Sequence, residues 1–298
     1  MKRRTFLGSA AATVGGASIM TGASAAQGKV KKGAFKDAPL RFSLPPGWFK
    51  GELPEKLDQI AELGVPGFEI LGPQGDMDEL AKLSKDRGLQ LSCIGGAGRI
   101  EPGHMVLPAD HDKVEAQFRE NVAKAKTLGV KVLIGLSGNT RTDAAPEEQT
   151  AAMVTCLKRL VPIAEENDVT IVMEALNVLV DHGGYFLTRT DQTMALLDAV
   201  GSPRVKMCFD IYHQQITEGN ITRNLTENFE RIGHIHVGDN PGRQEPGTGE
   251  INYKNVFKAI YDEGYAKGRY DGFVTFECGN SKDTDRALGR ILECIDWA

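Results

Sequence analysis

Four short apolar stretches in the second half of the chain carry residues that could bind a cation or move a proton. Glu174 ends VTIVME, Asp210 ends VKMCFD, His236 lies in HIHV, and Glu277 directly follows GFVTF. A carboxylate at the end of a buried strand is costly unless it is paired or bound to a cation. Three carboxylates and one imidazole suit a divalent ion, with Mn²⁺ or Mg²⁺ favoured and Co²⁺ as a third candidate. We therefore predict one metal site formed by these four residues, the alternative being salt bridges at the ends of the strands.

Three further residues near these stretches are candidates for substrate binding. His213 follows Asp210 by three positions and could donate a hydrogen bond to a substrate oxygen, although it could also be a loop histidine without function. Arg243 and Glu245 lie in the glycine- and proline-rich segment NPGRQEPGTGE. The five donors of Arg243 suit a carboxylate or a hydroxy-keto substrate, whereas the alternative is a surface ion pair between Arg243 and Glu245. His234 lies one strand period before His236, and we interpret it as structural.

The elements that would position these residues alternate regularly along the chain. Eight short runs rich in Val, Ile, Leu and Phe predict strands buried on both faces. These runs are Arg41–Leu44, Gly67–Leu71, Leu89–Ile94, Lys131–Leu136, Val169–Leu176, Val205–Ile211, His234–Val237 and Gly272–Phe276. Segments with helical spacing separate them, and several end on a glycine that can stop a helix. The predicted helices are Leu53–Leu63, Met77–Arg87, Asp112–Leu128, Glu147–Glu166, Thr190–Val200, Leu225–Ile232, Tyr253–Glu263 and Asp283–Trp297.

Eight strand and helix pairs within about 250 residues predict a single closed (β/α)₈ TIM barrel of the α/β class, and we assign it to residues 40–298. The active site of such a barrel lies at the C-terminal mouth, where strand ends and the following loops meet. The predicted mouth loops are Gly95–Pro108, Ser137–Ala145, Asn177–Leu187, Tyr212–Thr222 and Gly238–Asn252.

The N-terminus predicts export. Residues 1–26 have a basic start, a weakly apolar middle and the small-residue exit Ala23-Ser24-Ala25, which is typical of a signal peptide. The segment Arg3-Arg4-Thr5-Phe6-Leu7 resembles a twin-arginine signal, so we expect a periplasmic protein. The apolar part is too short and too polar for a stable membrane span. Residues 27–39 are polar without periodicity, and we interpret them as a linker that the fold could lose.

The net charge limits the kinds of molecule that this protein could bind, and the cysteine spacing limits the kinds of site that it could contain. The formal net charge of −5 becomes −8 when residues 1–26 are removed, because three basic residues and no acids are lost. Such a balance argues against nucleic acid as a partner and leaves a small molecule, with a homo-oligomer as a further option. The five cysteines form no CxxC pair, so we expect small core residues rather than a disulfide framework or a zinc site.

The motifs GDNPGRQEPGTGEINY, MEALN and CFDIYHQQ resemble the sugar-phosphate isomerase/epimerase superfamily of xylose isomerase-like TIM barrels, most closely its hydroxypyruvate isomerase group. The resemblance covers the chain from about Arg41 onward. It implies that Glu174, Asp210, His236 and Glu277 bind the metal, that Glu174 and Glu277 are the acid/base pair, and that His213 and Arg243 contact substrate. His236 follows the pattern of the related ketose 3-epimerases, because hydroxypyruvate isomerases usually have glutamine there.

The implied chemistry is proton transfer next to a carbonyl group through a cis-enediolate. Return of the proton to the neighbouring carbon isomerises an aldose, a ketose or hydroxypyruvate, whereas return to the opposite face of the same carbon epimerises it. Three alternatives stay open: a ketose 3-epimerase, a lyase acting on 3-keto-glycosides, and a secreted protein that binds a sugar without converting it.

Overall fold

Nine short parallel strands form the inner wall of the protein, because their apolar side chains are buried by the helices outside and by the barrel interior. The computed structural model describes residues 29–281 and 283–297. The strands are β1 (Phe42–Leu44), β2 (Gly67–Phe68), β3 (Gln90–Leu91), β4 (Ile94–Ala97), β5 (Val132–Gly135), β6 (Thr170–Glu174), β7 (Val205–Asp210), β8 (Ile232–Val237) and β9 (Val274–Phe276).

The strand order closes a ring with eight positions. The sheet runs β3-β2-β1-β9-β8-β7-β6-β5-β4, and every pair is parallel. The predicted strand Leu89–Ile94 contains β3 and the first residue of β4, with Ser92 and Cys93 between them, and β4 continues to Ala97 into the predicted loop Gly95–Pro108. Strand β3 pairs with β2 and strand β4 with β5, so the two together complete the barrel. The predicted TIM-barrel fold is confirmed.

Helices cover the outside of the ring. They are α1 (Leu53–Glu62), α2 (Met77–Asp86), α3 (His111–Leu128), α4 (Pro146–Glu166), α5 (Thr190–Val200), α6 (Ile211–Thr217), α7 (Ile221–Glu227), α8 (Tyr253–Ile260) and α9 (Thr284–Cys294). Local signals explain their ends. The Asp76 carboxylate caps α2 by accepting hydrogen bonds from two backbone N–H groups, Pro146 begins α4, and Gly129 and Gly201 end α3 and α5 in the left-handed conformation.

The segment after β7 differs from the prediction. Tyr212–Thr222 was expected as a loop and Leu225–Ile232 as a helix, but the structure has α6 and α7 between residues 211 and 227 and begins β8 at Ile232. The reason is the Asp210 side chain, which accepts a hydrogen bond from the backbone N–H of His213 at 2.8 Å and so starts a helix directly at the strand end.

The residues before the barrel are packed rather than loose where the structure describes them. Phe35 is 2% exposed and contacts Phe42 edge-on, with ring centroids 6.0 Å apart. The backbone N–H of Val30 donates to Asp285 on α9. Part of the segment interpreted as a removable linker therefore belongs to the core. The predicted signal peptide lies outside the described residues, and the export prediction stays a prediction.

The cysteines and the hydrophobicity of the helices can be compared with the sequence-based expectations. All five cysteines are free, and Cys93, Cys156 and Cys208 are buried, which agrees with their interpretation as small core residues. Among residues 29–281 and 283–297, no helix combines the length and apolar character that a bilayer span needs.

Candidate metal centre at the barrel mouth

Strand ends on one half of the barrel bring the four predicted metal ligands to the same level. Glu174 is the last residue of β6 and Asp210 the last of β7. His236 lies opposite Asp210 in the parallel register of β7 and β8. Glu277 directly follows β9. Since carboxyl ends of parallel strands open onto the same mouth, these side chains meet above the barrel interior.

The four side chains converge on one point. The Nδ1 atom of His236 lies 2.8 Å from Oε1 of Glu174, 3.2 Å from Oε2 of Glu277 and 4.0 Å from Oδ2 of Asp210. One ligand atom from each residue lies within 4.8 Å of the others. Glu174, Asp210 and His236 are buried, whereas the Glu277 side chain is 30% exposed. The structure thus brings together all four residues that the strand ends indicated.

This donor set fits a divalent cation. Three carboxylates facing one imidazole concentrate negative charge in a buried place, which is unfavourable without a compensating cation. Carboxylate oxygens with one histidine nitrogen are ligands for Mg²⁺, Mn²⁺ or Zn²⁺ sites rather than for soft, thiolate-seeking metals. The ligand types alone do not select among these ions.

The two glutamates have opposite electrostatic surroundings. Burial raises the pKa of Glu174 to about 7, although the positive charge of His236 opposes this shift. Burial acts in the same direction on Glu277, but the charges of His236 and Arg243 outweigh it and hold the pKa of Glu277 well below its usual range. Two carboxyl groups with pKa values pushed apart can divide the roles of proton acceptor and proton donor.

Arg243 reaches the same centre from the loop after β8. Its Nη2 atom lies 2.8 Å from Oε2 of Glu277 and 3.8 Å from Oδ2 of Asp210, and its guanidinium lies over the Tyr212 ring. The backbone of Arg243 has φ = 50°, a left-handed conformation that costs a non-glycine residue on the order of 1 kcal/mol. The loop therefore directs this side chain toward the metal-site residues and not toward Glu245.

Glu245 has a different environment from the one expected for a substrate-binding residue. It is fully buried, and its carboxylate accepts hydrogen bonds from Arg290 at 2.5 Å and from the Ser281 hydroxyl at 2.8 Å. Both partners belong to the C-terminal part of the chain, and Glu245 is not among the residues that line the mouth cavity. This geometry supports a role in holding the loop and does not support substrate contact.

Asp239 explains the conformation of that loop. Its Oδ2 atom accepts hydrogen bonds from the backbone N–H groups of Gly247, Thr248 and Gly249 at 2.8–3.0 Å. A side chain at Gly249 would collide with the backbone of Asn240, so the close approach requires glycine. The glycines of the motif thus wrap the backbone around one buried carboxylate.

His213 lies in the first turn of α6 and is fully buried. Its Nδ1 atom accepts from the Asn177 side-chain amide at 2.7 Å, so the proton of the neutral imidazole is on Nε2. Among the residues that the structure describes, that Nε2 atom has no hydrogen-bond partner, and Oδ2 of Asp210 lies 3.8 Å from it. Burial lowers the pKa of His213, which favours the neutral form. A buried donor without a partner beside the cavity is suited to a substrate oxygen. His182 packs against the His213 ring.

Glu69, one residue beyond β2, is a site residue that the sequence interpretation missed. Its two carboxylate oxygens contact Nε2 of His236 at 3.0 Å and Nε2 of His234 at 2.9 Å. Burial would raise the pKa of Glu69, but the two histidines outweigh it and lower that pKa to about 2. A signal was present, because Glu69 is the only charged residue in the apolar run Gly67–Leu71. The same signal identified Glu174. His234 is buried in this contact, which agrees with its structural interpretation.

A cavity of about 430 Å³ opens at the mouth next to these residues. Its lining is divided between two halves of the barrel. Glu174, His213, Arg243 and Glu277 form the polar side. The other side combines aliphatic and glycine residues with polar side chains, namely Leu71, Ile94, Gly95, Gly96, Ile134 and Leu136 together with Gln74, Arg99, Gln117, Asn121 and Lys124. A small molecule in this cavity would lie between the candidate metal ligands and a wall whose described lining has two cations and no acid.

Comparison with known proteins agrees with this architecture. The family model described as xylose isomerase-like TIM barrel matches residues 57–296. The chain belongs to the xylose isomerase-like TIM barrel family. The matched range contains every residue of the candidate site.

Curated relatives and solved structures lie in the same family of folds. The chain is 33% identical to hydroxypyruvate isomerase of Escherichia coli (84% of this chain and 97% of that protein). It is 32% identical to 2-oxo-tetronate isomerase of Cupriavidus necator (78% and 90%). A family 2 AP endonuclease of Brucella melitensis superimposes with TM-score 0.76 at 23% identity (84% and 96%). The IOLI protein with a bound zinc atom superimposes with TM-score 0.68 at 18% identity (86% and 96%).

Proposed function

We propose that this protein is a divalent-metal-dependent isomerase that moves a proton between adjacent carbons of a small sugar or hydroxy-keto acid, as in hydroxypyruvate isomerases. The observation that carries the proposal is the convergence of Glu174, Asp210, His236 and Glu277 within 4.8 Å at the barrel mouth. The relatives named as hydroxypyruvate and 2-oxo-tetronate isomerases support a substrate with a carbonyl next to a hydroxyl group. The zinc atom of the IOLI protein supports a metal in this fold but does not select Mn²⁺, Mg²⁺ or Co²⁺.

The four converging side chains would hold the cation, and their donor types fit it. When bound, a divalent cation polarises a carbonyl group and the neighbouring hydroxyl group, so the C–H bond between them becomes more acidic. The proton transfers themselves are carried out by side chains of this protein.

Glu174 and Glu277 are the proposed proton carriers. One carboxylate takes the C–H proton, which leaves a cis-enediolate of the substrate. The hydroxyl proton passes to the former carbonyl oxygen, and the abstracted proton returns at the neighbouring carbon from the same or the other glutamate. His213 would donate its unpartnered Nε2–H to a substrate oxygen. The guanidinium of Arg243 would bind a carboxylate or hydroxyl oxygen of the substrate.

A second candidate is epimerisation or elimination on a larger substrate, as in a ketose 3-epimerase or a 3-keto-glycoside lyase. A specific observation favours it, since the 430 Å³ cavity equals the liquid volume of roughly 14 water molecules at about 30 Å³ each. A three-carbon acid would leave much of that space to solvent. His236 also follows the 3-epimerase pattern. Both reactions use the same proton carriers, so the products must distinguish them.

Incubation in D₂O tests the function. The protein, loaded in turn with Mn²⁺, Mg²⁺ and Co²⁺, is mixed with hydroxypyruvate, other small keto acids, ketoses and keto-glycosides, and label is located by NMR. We expect deuterium next to the carbonyl of at least one substrate, together with an isomeric product, and loss of both after chelation. Deuterium at one carbon with inverted configuration would indicate the epimerase, and loss of a substituent the lyase.

The same experiment can refute catalysis. A ligand that binds in calorimetry but takes up no deuterium with any of the three metals would support the non-catalytic sugar-binding alternative. The periplasmic location and a homo-oligomeric state stay predictions, which cell fractionation and light scattering would test.

A further inference from the structure

Below the mouth, one buried carboxylate contacts two imidazoles. Glu69 is 7% exposed, with Oε1 at 3.0 Å from Nε2 of His236 and Oε2 at 2.9 Å from Nε2 of His234. The Ser92 hydroxyl donates to Oε2 at 2.9 Å, and itself accepts from the Ser43 hydroxyl. The two imidazole rings lie almost perpendicular, with centroids 4.8 Å apart. Each oxygen of Glu69 therefore faces its own ring nitrogen.

These contacts determine where the imidazole protons are. An ionised carboxylate only accepts hydrogen bonds, so both ring nitrogens that face Glu69 must carry hydrogen. Imidazole nitrogens are more basic than carboxylate oxygens, so each of these hydrogens rests on its ring and Glu69 is the acceptor in both contacts. A neutral His236 with hydrogen on Nε2 has its lone pair on Nδ1.

The Nδ1 atom of His236 is the one that faces the mouth carboxylates. It lies 2.8 Å from Glu174 and 3.2 Å from Glu277. A lone pair directed at two carboxylates is unfavourable unless a proton or a metal ion compensates the charge. The ring is thus oriented so that Nε2 donates a hydrogen bond to Glu69 and Nδ1 faces the cation site.

We propose that Glu69 is a positioning residue that holds His236 in the tautomer and orientation required for metal binding through Nδ1. The proposal rests on the proposed metal site. Hydrogen bonding of a carboxylate to the remote nitrogen of a metal-binding histidine increases the basicity of the ring and restricts its rotation, and loss of such a partner typically reduces metal affinity 10–100-fold. The contact from His234 keeps the second oxygen of Glu69 satisfied, so the carboxylate does not rotate away from His236.

A spectroscopic measurement on the wild-type protein tests the tautomer directly. With ¹⁵N-histidine labelling and diamagnetic Zn²⁺ as the probe, long-range ¹H–¹⁵N correlation spectra distinguish protonated from metal-bound ring nitrogens. We expect His236 to carry its proton on Nε2 and to bind Zn²⁺ through Nδ1. A proton on Nδ1, or Zn²⁺ on Nε2, would overturn the proposal. Because this measurement needs no substrate, it can succeed even where the isomerase function fails.

Variants measure the contribution of Glu69 to affinity. Glu69→Leu removes both acceptor oxygens at similar size, and we expect the dissociation constant for Zn²⁺, measured by competition with a chelating dye, to rise about 10–100-fold. Ser92→Ala is the matched control, because it removes a hydrogen bond to Glu69 but leaves both imidazole contacts, and its Zn²⁺ affinity should stay near wild type. An unchanged affinity in folded Glu69→Leu would contradict the proposal.

Glu69→Asp keeps the experiment decisive where Glu69→Leu does not fold. It retains the charge but withdraws the acceptor oxygens by one methylene group, so the contact to His236 should lengthen and the Zn²⁺ affinity should fall measurably. Wild-type Zn²⁺ affinity together with an unaltered Nε2–H signal of His236 in this variant would overturn the proposal.

Discussion

The two halves of the barrel mouth differ in what their strands present. Strands β6 to β9 present Glu174, Asp210, His236 and Glu277, whereas the half formed by β2, β4, β5 and the segments after them lines the cavity with aliphatic side chains, glycines, amides and two cations but with no acid among the described residues. The (β/α) repeat is the same on both sides. The difference therefore lies in the residues at the strand ends and not in the backbone architecture, as expected for a fold that supports many chemistries on one scaffold.

This asymmetry assigns separate tasks to the two halves. The polar half concentrates the groups that can bind a cation and move protons, and the other half, which includes Arg99 and Lys124, shapes the space beside them. One acid crosses the division, since Glu69 follows β2 on that other half and contacts His236 on β8. The acidic half is thus supported from the half that has no acid in the described lining of the cavity.

The largest expected effect comes from the proton carriers on the polar half. Glu174→Gln and Glu277→Gln keep the side-chain size but remove a proton acceptor, so we expect each to lower kcat by about 10³-fold or more with the fold retained. Turnover and deuterium uptake on a substrate that the wild type converts are the measurements, with circular dichroism as the control for folding. Full activity in both variants would show that Glu174 and Glu277 are not the acid/base groups. The two halves of the mouth would then not differ in their contribution to catalysis.

An intermediate effect, on stability, is expected from Glu245, an acid that is paired with an arginine and does not line the cavity. Glu245 is buried and paired with Arg290, whose side chain is 21% exposed. Arg290→Ala leaves this carboxylate without its cation, and we expect the free energy of unfolding to fall by about 2 kcal/mol. Chemical denaturation measures it. Arg223→Ala is the control, because the Arg223–Glu227 pair is exposed to solvent, which screens its charges, so its loss should change the free energy of unfolding little. Equal losses in the two variants would mean that Glu245 does not hold the loop.

The smallest effect is expected from the aliphatic part of the cavity lining. Leu136→Ala removes part of this lining directly after the strand next to that of Glu174 and should cost about 1 kcal/mol of substrate contact, or roughly fivefold in KM, with kcat nearly unchanged. Steady-state kinetics on the substrate found by deuterium labelling would show the separation of KM from kcat. A loss in kcat as large as that of Glu174→Gln would show that the wall takes part in the chemistry.

Strong local patterns made much of the molecule predictable. Alternating apolar runs and helical segments predicted the closed barrel, because strands buried on both faces have a distinctive composition. The carboxylates at strand ends predicted the metal centre, since an acid in an apolar strand needs a partner. The helix α6 was missed because its start depends on capping by the Asp210 side chain, which also serves as a predicted ligand.

The barrel and the four strand-end residues could be predicted from periodicity and composition, because each segment is buried separately and its residue pattern reflects that burial. The partners of individual side chains became known only from the folded arrangement. Arg243 and Glu245 lie two residues apart, yet the first pairs with Glu277 and the second with Arg290. Glu69 contacts an imidazole that is 167 positions away in sequence. Such pairings depend on distances that arise when the sheet closes into a ring, and no local pattern contains them.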